Sequence, residues 1–156
     1  MNICCIHQKC FMHFYFFDKL SIGDDKMDCI FCKIIAGEIP SNTLYEDDIV
    51  KVFLDITPNT NGHCLIVPKK HYVNLVDINL ETLNHIFKVA KDMYEVLKEK
   101  LDCKGLTLIQ NNDYGQEVKH YHLHLVPRYE NDLLNHDYNK EMLKEPKEIF
   151  DIIKGE

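Results

Sequence analysis

The chain has 156 residues, 46% of them hydrophobic and 28% charged, and a net charge of −7 with histidine neutral. This balance suits one globular domain with a buried core and excludes a fibrous or low-complexity chain. The negative charge argues against a binder of nucleic acid or anionic membranes, but a small anionic substrate needs only local positive potential. No apolar run reaches the roughly 20 residues of a membrane-spanning helix. We therefore expect a cytoplasmic protein.

The first part of the chain differs in character from the rest. Residues 1–26 contain four of the eight phenylalanines and end in a polar stretch, whereas a compact apolar pattern begins near Met27. Terminal segments often contribute little to a core. We interpret residues 1–26 as an N-terminal extension outside the core, and residues 27–156 as a single domain.

The hydrophobic pattern predicts several short elements and one long helix. An apolar stripe with helical spacing begins after Asn79, a good N-cap residue, and ends at Leu101. Short runs bounded by turn residues predict the strands. In chain order we predict a helix over 29–36, strands over 43–45, 50–56 and 63–67, the long helix, strands over 106–110 and 119–128, and a last helix over 147–153. Helices mixed with strands joined by short turns indicate an α+β fold with an antiparallel sheet.

Three histidines alternate along the last predicted strand. His120, His122 and His124 occupy every second position, so their side chains should share one face, opposite Tyr121 and apolar neighbours. Three imidazoles on one face are a poor packing solution, because all of them can protonate. The pattern therefore indicates chemistry at the imidazoles. A metal site is the competing interpretation, because two histidines spaced this way can present nitrogens to one ion.

Two cysteines form a C-x-x-C near the start of the compact region. Cys29 and Cys32 can supply two thiolates from one turn, a spacing suited to tetrahedral zinc. A redox pair is the alternative, although the βαβ pattern of a thioredoxin-like motif is not present in the flanking sequence.

Four segments between residues 28 and 130 follow one another in the order of a known family. They are CIFCKIIAGEIPS, FLDI-x-P, GHCLIVPKKH and GQEVKHYHLHLVPR. Together they resemble the histidine triad superfamily of nucleotide hydrolases and transferases. The C-x-x-C is similar to that of its small zinc-containing branch, which includes the nucleoside phosphoramidases.

The resemblance implies a catalytic role for each histidine of the strand and for one more. His122 would attack the α-phosphate and form a nucleotidyl-histidine that water hydrolyses, and His124 would stabilise the developing charge. His63 would help to hold the protonation pattern of the triad, to which His120 also belongs. Imidazole suits this chemistry, because its unperturbed pKa of about 6.5 leaves it neutral and nucleophilic at pH 7.

The resemblance also implies how a small nucleotide substrate is bound. Asp55 would accept hydrogen bonds from the ribose hydroxyls, and Ile56 would pack near the nucleoside. Gly115 would let the backbone approach a phosphate, and Gln116 would donate to the phosphate or to the leaving group.

Finally, the resemblance implies a structural zinc and a homodimer. His71 and His120 match the positions that would complete the zinc site with Cys29 and Cys32. The chain departs from the family in a shorter loop over 111–115 and in Glu117, where relatives often carry Ser or Thr. A dinucleoside polyphosphate hydrolase and a zinc-containing nucleotide-binding scaffold protein with incidental catalysis therefore stay open beside a phosphoramidase.

Overall fold

The computed structural model describes residues 28–133 and 140–155. The predicted extension over residues 1–26 lies outside the described residues. The fold is the predicted α+β arrangement. Its elements are α1 (Ile30–Ile35), β1 (Thr43–Glu46), β2 (Val50–Leu54), β3 (Cys64–Pro68), α2 (Leu80–Leu101), β4 (Gly105–Ile109), β5 (Leu123–Arg128), a 3-10 turn (Lys140–Met142) and α3 (Pro146–Lys154).

The five strands form one antiparallel sheet in the order β1-β2-β3-β5-β4. The strand pairing places β5 in the interior of the sheet, between β3 and β4. His124 pairs there with Leu65 on one side and Ile109 on the other. The histidine-bearing strand is therefore held by hydrogen bonds along both of its edges.

The histidine strand is shorter than its sequence predicts. β5 begins at Leu123, not at residue 119, because residues 117–120 form a bend in which the backbone N–H of His120 bonds to the carbonyl of Val118 at 2.8 Å. Tyr121 then donates its backbone N–H to the carbonyl of Tyr72. His120 and His122 consequently precede the regular strand, and only His124 lies within it.

The long helix α2 begins and ends as its sequence predicts. The side chain of Asn79 accepts the backbone N–H of Thr82 at 2.8 Å, which satisfies one of the unpaired amides of the first turn. Asp102 ends the helix in the left-handed conformation with φ 53°. The buried apolar face of α2 packs against β3 and β5. It carries Ile86, Val89, Ala90, Met93 and Leu97.

One glycine permits this close packing just before β3. Gly62 has a φ of +83°, and a Cβ atom there would lie 2.4 Å from Cδ1 of Leu101 at the end of α2. Only glycine fits both the backbone conformation and the space. The Gly-His pair of the sequence therefore brings His63 to the start of β3 while α2 packs over the loop.

Two apolar clusters lie on opposite faces of the sheet. The larger one joins α2 to inward-facing residues of the strands, including Ile66, Leu123 and Leu125. The smaller one is formed by α1 and the other face, and its buried members are Cys29, Phe31, Ile34, Phe53, Leu65 and Val67. His122 and His124 are on this second face, since they alternate with Leu123 and Leu125. No helix within residues 28–133 and 140–155 is long and apolar enough to cross a membrane.

Candidate active site

A cavity of about 510 Å³ opens on the α1 face of the sheet. Its floor is formed by β2, β3 and β5, and its walls by α1 and by the loops that contain residues 55–59 and 111–118. The apolar part of the lining comes from residues such as Phe31, Ile34 and Leu65. The ionisable side chains that line it are Asp55, His63, Glu117, His122 and His124. Six predicted catalytic or nucleotide-binding residues thus share one cavity, whereas two others, His120 and Gln116, do not line it. The six are Asp55, Ile56, His63, Gly115, His122 and His124.

His122 is buried, and its ring orientation is fixed by the backbone. Its Nδ1 lies 2.6 Å from the carbonyl oxygen of His120. A carbonyl only accepts, so Nδ1 carries the hydrogen and the neutral ring keeps a lone pair on Nε2. The ring packs edge-on against Phe31, with centroids 5.1 Å apart, and against His124 at 4.9 Å. Neutral His122 therefore has the tautomer that a nucleophile acting through Nε2 requires.

A second hydrogen-bonded chain fixes the tautomers of His63 and His124. The backbone N–H of Asn59 donates to Nδ1 of His63 at 3.1 Å, so the hydrogen of neutral His63 is on Nε2. That Nε2 lies 3.0 Å from Nδ1 of His124, which must then accept. Neutral His124 keeps its hydrogen on Nε2, where it can donate to a substrate.

Asp55 holds its carboxylate beside this histidine pair. Its Oδ2 lies 3.6 Å from Nε2 of His63 and 3.8 Å from Nδ1 of His124. Its Oδ1 accepts the backbone N–H of Thr57 at 2.8 Å and the Thr57 hydroxyl at 3.2 Å. Asp55 follows the end of β2, and this turn ends the strand earlier than predicted. The adjacent Ile56 is 95% exposed and lines the cavity, so its side chain is available to a ligand.

Burial keeps the imidazoles of the cavity neutral at pH 7. It lowers the pKa of His124 to about 4, helped by the neighbouring His122 and His63 and opposed by Asp55. Burial also lowers the pKa of His63, against the carboxylate of Asp55. It lowers the pKa of His122 as well, against the hydrogen bond to His120 and the negative charges of Asp55 and Glu117. The cavity therefore offers neutral nucleophiles and hydrogen-bond donors.

The two residues predicted to contact the phosphate lie differently in the structure. Gly115 lines the cavity with a φ of +83°, and a Cβ atom there would meet nothing within 4 Å. Gln116 is 5% exposed, donates its Nε2 to the carbonyl of Val73 at 2.7 Å and accepts the backbone N–H of Asp113 at 3.2 Å. Its amide is thus engaged with the loop after β3, and its role as a phosphate donor stays a prediction.

The four predicted metal ligands meet next to the cavity. Ligand atoms of Cys29, Cys32, His71 and His120 all lie within 4.8 Å of one another. Nδ1 of His120 lies 3.4 Å from Sγ of Cys29 and 3.5 Å from Sγ of Cys32, and Nδ1 of His71 lies 3.3 Å from Sγ of Cys32. Residues from α1, from the loop after β3 and from the segment before β5 are thereby brought together.

This cluster fits a tetrahedral zinc ion. With Zn–S bonds of about 2.3 Å and Zn–N bonds of about 2.0 Å, neighbouring S and N ligands should lie roughly 3.5 Å apart, close to the separations found here. Nε2 of His120 donates to the carbonyl oxygen of Pro68 at 2.8 Å, which leaves the lone pair of Nδ1 directed at the cysteines. A fourfold protein ligand set leaves no position for a substrate, so such an ion would be structural.

Two residues of the site were not expected from the sequence. Asn59 fixes the tautomer of His63 through its backbone N–H, which any residue type except proline supplies. Phe31 lies between the two halves of the site, 6.0 Å from the ring of His120 and 5.1 Å from that of His122. The only sequence feature that could have indicated a role for Phe31 is its position between the two cysteines of C-x-x-C.

The fold and the site define an α+β protein that places three histidines beside a Cys2His2 cluster on one face of an antiparallel sheet. The family model described as HIT domain matches residues 36–131. The chain belongs to the HIT family, and the resemblance found in the sequence is confirmed.

Named relatives include both uncharacterized proteins and enzymes. The chain is 50% identical over 106 residues to an uncharacterized HIT-like protein of Methanocaldococcus jannaschii, which covers 67% of this chain and 81% of that protein. It is 45% identical over 102 residues to an adenosine 5'-monophosphoramidase of Saccharomyces cerevisiae, over 64% of this chain and 62% of that one. It is 33% identical over 144 residues to an adenylylsulfatase of Arabidopsis thaliana, over 85% and 73%.

A solved structure with bound metal is also similar. The zinc-bound histidine triad family protein of Mycobacterium smegmatis superposes with a TM-score of 0.68 and 36% sequence identity, over 74% of this chain and 85% of that chain.

Proposed function

We propose that the protein is a nucleotide hydrolase of the phosphoramidase type, which cleaves the P–N bond at the α-phosphate of a purine nucleoside 5'-phosphoramidate. The observation that carries this proposal is the 2.6 Å contact between Nδ1 of His122 and the carbonyl of His120. It leaves Nε2 of a buried, neutral imidazole as the nucleophile of the cavity. The relative named adenosine 5'-monophosphoramidase supports the same bond as the target.

The reaction would proceed in two displacements at phosphorus. In the first, Nε2 of His122 forms a bond to the α-phosphorus while the P–N bond of the substrate breaks, and the nitrogen of the leaving amine takes up a proton from water. In the second, water forms a P–O bond, the bond to His122 breaks and one proton is released. The sum is phosphoramidate plus water to nucleoside monophosphate plus amine.

The other residues of the cavity would stabilise this pathway. Nε2–H of His124 can donate to a phosphoryl oxygen as charge develops, because the chain through His63 keeps Nδ1 occupied as an acceptor. We assign Asp55 to the ribose hydroxyls and Ile56 to the nucleoside, as the resemblance implies. Gly115 would let the backbone approach the phosphate, with Gln116 as a further donor.

Zinc at Cys29, Cys32, His71 and His120 would have a structural role. When bound, it would cross-link α1 to the segment that carries His120 and hold the carbonyl that orients His122. We also propose a homodimer, as the family implies. The edge position of β4 in the sheet supports this proposal, because an edge strand can pair with a second copy.

Turnover of adenosine 5'-phosphoramidate, set against adenylyl sulfate and a diadenosine polyphosphate, tests the assignment. We expect the phosphoramidate to give the highest kcat/KM, and rapid quenching with denaturant at alkaline pH to trap a nucleotide on His122. If the polyphosphate were preferred, the dinucleoside polyphosphate hydrolase would be the correct assignment. Binding of AMP without turnover of any of the three would favour the scaffold protein. Light scattering of the purified protein decides the dimer.

A further inference from the structure

The fixed charges on the described lining of the cavity are all negative. Among the described residues that line it, none is lysine or arginine, and the only fixed charges are those of Asp55 and Glu117. Asp55 already accepts two hydrogen bonds from Thr57 and faces the histidine pair. Glu117 remains as an exposed carboxylate with neither a hydrogen bond nor an ion pair to the parts of the chain that the structure describes.

Glu117 shares the cavity with the proposed nucleophile. Both Glu117 and His122 line it, so the carboxylate of Glu117 and the imidazole of His122 border the space that a substrate would occupy. The nearest basic side chain in sequence does not neutralise this carboxylate. Lys119 instead donates its Nζ to the backbone carbonyl of Asp113 at 2.7 Å.

This arrangement has opposite consequences for leaving groups of opposite charge. A sulfate, polyphosphate or carboxylate-bearing group would enter a cavity whose lining, within the described parts of the chain, holds no fixed cation to receive it, and the carboxylate of Glu117 would repel it. A leaving amine that carries a second, cationic group would be attracted by the same carboxylate. The imidazoles supply hydrogen bonds to the phosphate itself but little positive charge at pH 7, because burial keeps them neutral.

We propose that Glu117 is a specificity-determining residue that selects the leaving group by charge, and that the preferred substrates are nucleoside 5'-phosphoramidates whose leaving amine bears a second cationic group. This inference rests on the proposed function. In the first displacement, the P–N bond breaks, the bond from Nε2 of His122 to phosphorus forms, and the leaving nitrogen takes up a proton from water. The distal ammonium remains intact beside Glu117.

Three adenosine 5'-phosphoramidates of equal chain length test the proposal. Their leaving amines end in an ammonium, a hydroxyl or a carboxylate group, so only the distal charge differs. We expect the wild-type protein to prefer the ammonium over the carboxylate compound by about tenfold or more in kcat/KM at low salt, with the preference falling as salt is added. Glu117→Gln should bring the ratio close to one, and Glu117→Lys should invert it.

The matched control is Glu95→Gln, which removes the same charge from the exposed face of α2 and should leave the ratio unchanged. Melting temperatures of all variants establish that they fold. Turnover of all three compounds with a ratio that is the same in wild type and Glu117→Gln overturns the selection by Glu117 but leaves the phosphoramidase intact. Absence of turnover for all three overturns the proposed function and this inference with it.

Discussion

The backbone carbonyl of His120 lies 2.6 Å from Nδ1 of His122, while the ring of His120 lies among Cys29, Cys32 and His71. His120 thus connects the Cys2His2 cluster to the cavity that contains His122. The ring of His120 lies in this Cys2His2 cluster, and the carbonyl of His120 orients the proposed nucleophile. A displacement of this cluster should therefore also change the orientation of His122.

Replacing His122 tests the nucleophile directly. His122→Ala should remove nearly all turnover and leave AMP affinity within about tenfold, or roughly 1.4 kcal/mol, because the ring contributes mainly to the chemical step. Single-turnover kinetics and calorimetric titration measure the two effects. The matched control is His85→Ala on α2, whose ring bonds to Asp47 away from the cavity and whose loss should leave kcat unchanged. Wild-type kcat in His122→Ala would exclude the covalent mechanism.

The proposed zinc site at Cys29, Cys32, His71 and His120 leads us to predict that zinc, stability and activity are lost together. The purified protein should carry one zinc per chain, and Cys29→Ser or Cys32→Ser should lose it. If loss of zinc lowers the free energy of unfolding by about 3 kcal/mol, the melting temperature should fall by roughly 10 °C in a chain of this size. Turnover should fall as well, through the carbonyl of His120. Metal analysis and calorimetry measure these effects.

A buried cysteine outside the cluster supplies the control for zinc. Cys103→Ala changes a residue that is 2% exposed, so it can destabilise the core while keeping the metal. Metal-free protein with full activity and an unchanged melting temperature would reject the structural zinc. Zinc retained in both His71→Ala and His120→Ala would reject only those two ligands.

Local patterns in the sequence predicted the elements that depend on local forces. The alternation of His122 and His124 with Leu123 and Leu125 placed the imidazoles opposite the α2 face, and Asn79 marked the start of α2. The pattern could not show where the histidine strand begins. The bend over 117–120 adjoins a backbone contact between Tyr121 and Tyr72, which are far apart in sequence.

The parts of the site that sequence analysis missed are also tertiary contacts. A hydrogen bond to the carbonyl of Val73 fixes the side-chain amide of Gln116, and a hydrogen bond from the backbone N–H of Asn59 fixes the tautomer of His63. Backbone groups are the same at every residue, so composition and periodicity cannot indicate them. The four proposed metal ligands were predicted through a family resemblance, since spacing alone indicates only the C-x-x-C pair.

We predict that removing the N-terminal extension leaves the domain intact. A chain that begins at Met27 should fold, dimerise and turn over substrate like the full chain, because residues 1–26 contain no motif of the site. Melting temperature, light scattering and kcat/KM of the two chains check this. A large drop in melting temperature would mean that the phenylalanines of the extension pack on the domain.

We predict that Asp47, in the turn between β1 and β2, makes a pH-dependent contribution to the stability of the fold. Burial alone would raise the pKa of Asp47, but hydrogen bonds from Val50, His85, Ile49 and Tyr45 hold it far below its usual range. A carboxyl with a depressed folded-state pKa stabilises the fold above its unfolded value of about 3.9, and this stabilisation is lost as the pH falls below it.

Asp47→Ala should therefore lower the free energy of unfolding by about 2 kcal/mol at pH 7 and make the stability less sensitive to acid below pH 4. Denaturant titrations at several pH values measure both. Asp48→Ala, at the exposed neighbouring position, should have little effect. Equal stability of Asp47→Ala and the wild type at pH 7 would contradict the assignment.

The pH dependence of activity follows from the burial of the imidazoles. The proposed attack requires neutral His122, and burial lowers the pKa of His122 below the ordinary value of 6.5, opposed by the His120 carbonyl and by Asp55 and Glu117. His124, with a pKa of about 4, is neutral over the whole working range. We therefore expect kcat/KM to be flat through neutral pH and to fall on the acid side with an apparent pKa at or below 6.5.

The variant Glu117→Gln provides a second test of this pH dependence. Removing the carboxylate removes an influence that raises the pKa of His122, so the acid limb should move to lower pH, whereas Glu95→Gln should leave it in place. The profile is measured with an uncharged leaving group that does not titrate between pH 5 and 8, so that the leaving-group selection proposed for Glu117 does not contribute. An acid limb centred above pH 7 would show that the anionic groups outweigh burial, or that a residue other than His122 controls the rate.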